Sequence, residues 1–412
     1  MAFWRRTKGG GTVALPLGAP RAGQLDITPP GIILISIILE SIMNPFKYGQ
    51  VVNAGDFCPR PELLKQLKSF VTSGQNVVLQ GERRMGKTSL VCEALRQEKR
   101  HRMVYVDLLE IKTADDLGKR MIKAMVSAES GMGVLEKLMK SLARLRPSMS
   151  LDPITGQPSL SLDPRVPLRP DSIESILDLL KDIHKRHPVA VVFDEFQDIL
   201  NLASSRETLA LLRSKVQFQG DIAYIFAGSI RNRMSDIFTN SDSPFFKSAI
   251  AMDVGPLDTT SFSHFLEARY REGQRRVCHE TIQEIISLAE AVPGDVQQFC
   301  GALWDTTSPK DTITDTAFPT ALELIFSRES KGYESALVQI TGQQLKCLTG
   351  LARFGGKSPT SSAFLENVGI TLPASVKKAL TRLTQLKIIY RHDREYKFVN
   401  PFFKRWLLWK NY

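Results

Sequence analysis

"GERRMGKTS", residues 81–89, is the stretch whose reading decides the fold. It matches G-x-x-x-x-G-K-[ST], in which glycines let successive backbone N–H groups turn onto phosphates at the positive end of a following helix. Its flanks fit that reading. "NVVLQ" (76–80) reads as a short buried strand, and "KTSLVCEALRQ" (87–97) spaces Leu90, Val91, Ala94 and Leu95 as one helical face. Gly81, Glu82, Arg83, Arg84, Met85, Gly86, Lys87, Thr88 and Ser89 are the expected nucleotide-binding residues, with ATP and Mg²⁺ as ligands. Lys87 is expected to reach the β- and γ-phosphates, and the Thr88 hydroxyl to ligate Mg²⁺. One of Arg83 and Arg84 is expected on phosphate, the other facing solvent or a helical subdomain. The bland alternative is a solvated basic loop.

"VAVVFDEF" (189–196) supplies the partner motif about 105 residues later. A strand ending in Asp194 sets a carboxylate beside the metal, and Glu195 is placed to orient or activate a water against the γ-phosphate. Hydrolysis is the expectation, nucleotide binding without turnover the alternative. "FAGSIRNRM" (226–234) closes the next strand. Ser229 is expected to hold the attacking water or sense the γ-phosphate. Arg231 and Arg233 either stabilise transition-state charge, in cis or on a neighbouring subunit, or make ordinary salt bridges.

Further apolar runs at 102–108, 222–229 and, more weakly, near Ala249 alternate with helical stretches. That pattern predicts an α/β fold, a parallel sheet covered on both faces. "PSMSLDPITGQPSLSLDP" alternates around Thr155-Gly156 and predicts an inserted β-hairpin at about 147–164. After Pro256 the strands cease and amphipathic helices fill 258–330, an α-helical lid subdomain. From 331 to 412 three helices precede two strands around His392-Asp393-Arg394, the pattern of a winged-helix domain. The ATPase-like core then spans 43–257. Residues 1–42, Gly/Pro-rich and without periodicity, read as a disordered or non-native extension upstream of Met43.

The chain's 412 residues call for several domains, and its 43% hydrophobic, 24% charged composition is that of a globular protein. Its five cysteines are scattered, which reads as reduced thiols in a cytoplasmic protein. "IILISIILESIM" (32–43) is too short for a membrane span, so no membrane partner is expected. The net charge of +11 is uneven: residues 331–412 hold 14 Lys and Arg against 4 Asp and Glu. A basic C-terminal domain on a near-neutral body favours an anionic partner, DNA first; a solvated basic surface is the alternative.

These motifs, with "MNPFKYGQVV", "SPFFKSA" and "NPFFKRW", resemble the AAA+-like archaeal/prokaryotic ATPases of the STAND group, relatives of the origin-recognition ATPases. The resemblance covers about 43–410. It implies a P-loop NTPase sheet of the ASCE type with the phosphate-loop strand central, a helical lid and a winged helix. It also implies that residues 55–67 line the adenine pocket. One departure is visible: the lid element "AVPGDVQQF", with Pro293 and Gly294, carries no arginine. A nucleotide-controlled switch is therefore expected rather than a ring motor. Lys377, Lys378, Thr381 and Arg382 would face DNA from the third winged-helix helix, and Arg391, Arg394 and Lys397 from the wing. In the alternative, the chain is a signalling ATPase that assembles when ATP is bound, and the winged helix docks an acidic protein partner, the chain's own ATPase domain or a second copy. Phe402, Phe403 and Trp406 are expected in the winged-helix core.

Overall fold

The structure is a computed structural model that describes residues 43–412 except 53, 129–146, 152–157, 163–169, 230 and 393. Helix α1 (Pro61–Thr72) leads into β1 (Val77–Gln80), and the phosphate loop joins β1 to α2 (Lys87–Glu98). Then follow β2 (Arg102–Asp107), α3 (Ala114–Ala128), β3 (Pro147–Leu151), β4 (Pro158–Leu162) and α4 (Pro170–Arg186). The core continues through β5 (Val189–Asp194), α5 (Ser205–Gln217), β6 (Ala223–Gly228), α6 (Arg231–Phe238) and β7 (Ile250–Asp253).

Five of these strands pair in parallel in the order β2-β5-β6-β1-β7. All five point the same way, so the loops after β1, β5 and β6 emerge along one edge, where ligands gather in open α/β sheets. Because β6 lies between β1 and β5, Ser229 is carried next to both the phosphate loop and Glu195. The phosphate-loop strand is interior but not central: it lies one strand in from the β7 edge. There β7 exposes three of its four residues, which explains its weak apolar signal.

The sheet's two faces differ in side-chain size, and this positions the loop. Val191, Phe193, Tyr224 and Phe226 fill one face, with Phe193 and Phe226 stacked at 5.8 Å and 9°. On the other face Ala190, Ala223 and Ala227 lie against Leu90, Val91 and Ala94 of α2. Small residues there let α2 sit close to the sheet, which fixes its N-terminus behind the loop. Strands β3 and β4 form the antiparallel hairpin, Pro147 opposite Leu162; the turn with Thr155-Gly156 lies outside the described residues.

Beyond β7 come α7 (Thr259–Glu272), β8 (Arg276–Val277), α8 (His279–Leu288), α9 (Pro293–Thr306), β9 (Thr312–Ile313) and α10 (Phe318–Val338). The two-residue strands β8 and β9 pair in parallel. Helix α10 runs across position 330, where the sequence pattern changes. The C-terminal part comprises α11 (Gly342–Phe354), α12 (Ser362–Val368), α13 (Pro373–Gln385), β10 (Ile389–His392), β11 (Glu395–Phe398) and α14 (Pro401–Trp409). Strands β10 and β11 pair antiparallel as the wing. A capping box at Thr341 starts α11, and the Asn400 side chain caps α14 through the amides of Phe402 and Phe403. Phe402, Phe403 and Trp406 are buried, and one apolar cluster runs without a break from Phe262 of α7 to Leu407 of α14. Among the described residues no helix is long and apolar enough to cross a membrane.

Candidate nucleotide site

The phosphate loop is built by two glycines. A Cβ at Gly81 would come within 2.3 Å of the Val254 carbonyl, so only glycine lets β1 exit this close to the end of β7. Gly86 caps α2 at φ +83°, a conformation L side chains rarely adopt. Arg84 adopts φ +66° without being glycine, a strain of roughly 1–2 kcal/mol that its contacts must offset. Buried Arg60 clamps the loop to the sheet: its guanidinium donates to the carbonyls of Met85 (2.9 Å) and Gly255 (2.8 Å). Ser89 Oγ accepts from the Val52 amide at 3.1 Å, tying the segment before α1 to α2.

Lys87 is buried, and its Nζ donates to the carbonyls of Gly81 (2.9 Å) and Glu82 (3.0 Å). Burial pushes its ammonium pKa down, while Glu195, Asp194 and Glu82 pull it back. Thr88 Oγ1 and the Tyr105 hydroxyl both donate to Asp194 Oδ2 at 2.7 Å. Burial and the Asp194 charge push the Tyr105 phenol well up, so it remains a donor to that carboxylate. A threonine hydroxyl beside a carboxylate is a hard oxygen pair of the kind Mg²⁺ takes, with phosphates and water completing its shell. The residues present fit that ion.

Glu195 stands at φ +49°, and its Oε2 accepts from Gln197 Nε2 (2.6 Å) and Ser229 Oγ (2.7 Å). Two donors on one oxygen fix the carboxylate's orientation at the sheet edge. Ser229 thus lies against the candidate base. Arg231 opens α6, and its side chain lies outside the described residues. Arg233 pairs with its own chain, donating to Asn201 Oδ1 at 2.8 Å and lying 3.6 Å from Asp198.

The two loop arginines part company. Arg83 is exposed and borders the cavity. Arg84 turns to the lid, where its guanidinium ion-pairs with Asp295 and donates to Gln298 Oε1 at 2.9 Å. The lid element without an arginine therefore receives one from the loop. Glu82 lies 3.5 Å from His392 of the wing.

A cavity of about 620 Å³ joins these groups. It is lined by Arg83 to Ser89, Asp194 and Glu195, by Val52, Phe57, Cys58 and Arg60, by Pro293, Gly294 and Gln297 of the lid, and by Val399 and Asn400 at the root of α14. Residues of 55–67 thus border the same space as the phosphate loop. A second cavity of about 150 Å³ shares Arg83 and Glu195 and is walled by Lys387, Tyr390, Phe398 and Pro401. Tyr105, Gln197, Arg60 and Asn400 have no sequence motif.

Among solved structures, a Walker-type ATPase of Pyrococcus abyssi matches at 20% identity and a TM-score of 0.60, over 88% of this chain and 99% of that one. The fold is that of a P-loop ATPase. The ORC1 protein of Aeropyrum pernix, solved in complex with DNA, matches more loosely: 12% identity and TM-score 0.49 over 86% of this chain and 93% of that one. Residues 331–409 match a family described as a probable winged helix domain. This P-loop ATPase fold therefore ends in a winged helix. No curated protein matches the sequence.

On that winged helix, Val376, Ala379, Leu380 and Leu383 are buried while Lys377, Lys378, Thr381 and Arg382 are exposed. Arg391 and Arg394 are exposed on the wing. Lys397 is half-buried, because it stands opposite Tyr390 in the hairpin register. Period-two alternation turns Tyr390 and His392 to one side of β10 and Arg391 to the other.

Proposed function

We propose that the chain binds ATP with Mg²⁺, hydrolyses it, and uses the nucleotide state to control a DNA-binding winged helix. The observation that carries this reading is the shared cavity: Val399 and Asn400 of the winged-helix part line the same space as Lys87, Thr88, Asp194 and Glu195. A nucleotide held there would touch the loop, the lid and the root of α14 at once.

In this reading the loop amides and Lys87 Nζ bind the phosphates, Lys87 exchanging its carbonyl partners for phosphate oxygens. Thr88 Oγ1 and Asp194 hold Mg²⁺, which when bound supplies neutralising charge to the phosphates. Glu195 takes a proton from a water whose oxygen bonds to the γ-phosphorus as the bond to the β–γ bridging oxygen breaks, releasing ADP and phosphate. Ser229 and Gln197 orient Glu195, and Arg83 is the loop cation available to the phosphates. Lys377, Lys378, Thr381, Arg382, Arg391 and Arg394 form the DNA face, with Lys397 at its inner margin.

Mobility shift of labelled duplex at several salt concentrations, with and without a non-hydrolysable ATP analogue, tests the reading. It expects binding that weakens steeply with salt and changes with the analogue. Absence of binding at low salt would overturn the DNA assignment and turn the same basic face over to an acidic protein partner.

A further inference from the structure

Arg84 is the described side chain that runs from the phosphate loop into the lid core. Its strained backbone stands two residues before Gly86 and three before Lys87. Its carbonyl accepts from Gly294 N at 3.3 Å, and a Cβ on Gly294 would lie 3.1 Å from Arg84 Cβ, so loop and lid touch along backbone as well as side chain. The Asp295 carboxylate that receives Arg84 is fully buried in the first turn of α9, whose neighbours Pro293, Gly294 and Gln297 border the cavity. Gln298, which also holds Arg84, donates onward to Glu329 of α10, and Glu329 accepts from Tyr333 and from Asn400 Nδ2.

We propose that Arg84 is a positioning residue: its pairing with Asp295 holds the phosphate loop in its nucleotide-binding shape, so that the ionisation of one buried lid carboxyl sets nucleotide affinity. The proposal rests on the nucleotide-binding reading above. A neutral Asp295 no longer anchors the guanidinium, and the left-handed Arg84 backbone is then free to relax, carrying the amides at Gly86 and Lys87 out of register. The groups facing Asp295 are Arg84 from the loop, Glu290 from the α8–α9 turn, Glu329 from α10, and Tyr390 from β10. Burial pushes the Asp295 carboxyl up to about 7; Arg84 pulls it down, and Glu329 and Glu290 push it higher. The carboxylate that pairs with Arg84 is therefore present above this value and lost below it.

The test is the Kd of a fluorescent non-hydrolysable ATP analogue, measured from pH 6 to pH 8.5 with saturating Mg²⁺. Expected is an affinity roughly tenfold weaker at the acid end, with a midpoint near neutrality. Asp295→Asn should give a flat profile at the weaker value while melting as a folded protein, and Arg84→Lys should keep the inflection. A profile that persists unchanged in Asp295→Asn, or a wild type whose affinity does not vary with pH, overturns this proposal alone. Wild type that binds no analogue at any pH overturns the nucleotide reading and this proposal with it.

Discussion

Glu195 adopts φ +49°, a left-handed conformation costing a non-glycine residue roughly 1–2 kcal/mol. Hydrogen bonds from Gln197 and Ser229 hold it there, and a bond to a charged group is worth about 1.5–3 kcal/mol. Glu195→Gln should therefore bind ATP while turnover falls by about 10²- to 10⁴-fold; phosphate release alongside analogue binding measures both. Ser229→Ala should lower kcat roughly tenfold with little change in KM, since it loosens the base and not the phosphate grip. Equal losses in binding and turnover would put Ser229 on the nucleotide instead. That Lys87, Thr88, Asp194 and Glu195 border one space was legible, because a loop pattern and a strand end place them locally. Tyr105 was not: its bond to Asp194 exists only because β2 pairs with β5 in a register that puts Asp107 beside Asp194. That one loop arginine faces the helical lid was among the sequence's readings; that it is Arg84 was not legible, since it depends on where α9 begins.

At the scale of elements, helix α13 divides into a buried apolar face and an exposed one that carries Lys377, Lys378 and Arg382. If the basic face meets DNA phosphates, Lys377→Ala and Arg382→Ala should each reduce the salt slope of binding by about 1 and weaken all sequences alike. A slope unchanged in both would move the DNA contact elsewhere. Helix α14 is held by Trp406, fully buried against Tyr333 and Phe403 with ring centroids 5.3 and 5.9 Å away. Trp406→Ala should cost about 3–5 kcal/mol of stability, read from urea unfolding. The longer helices were legible from their 3.6-residue period, whereas β8 and β9, two residues each, are too short for any period. The continuity of α10 was invisible for a different reason: the change of pattern at 331 marks a change of packing partner, not the end of a helix.

Across the whole molecule, phosphate loop, lid and winged helix border one cavity at one edge of the sheet. The α/β order and the winged helix could be read from apolar runs. That Val399 and Asn400 line the cavity beside the phosphate loop could not, since it depends on how α14 docks, which local sequence does not encode. Helix α10 has a consequence for cooperativity. Because it crosses position 330 and its neighbours share a single apolar cluster, lid and winged helix have no seam at which to part. In native-state hydrogen exchange they should open as one foldon, distinct from the sheet layer, with amides of α8, α10 and α13 converging on a common opening free energy. Winged-helix amides that exchange far faster than those of the lid would show that the cluster divides after all.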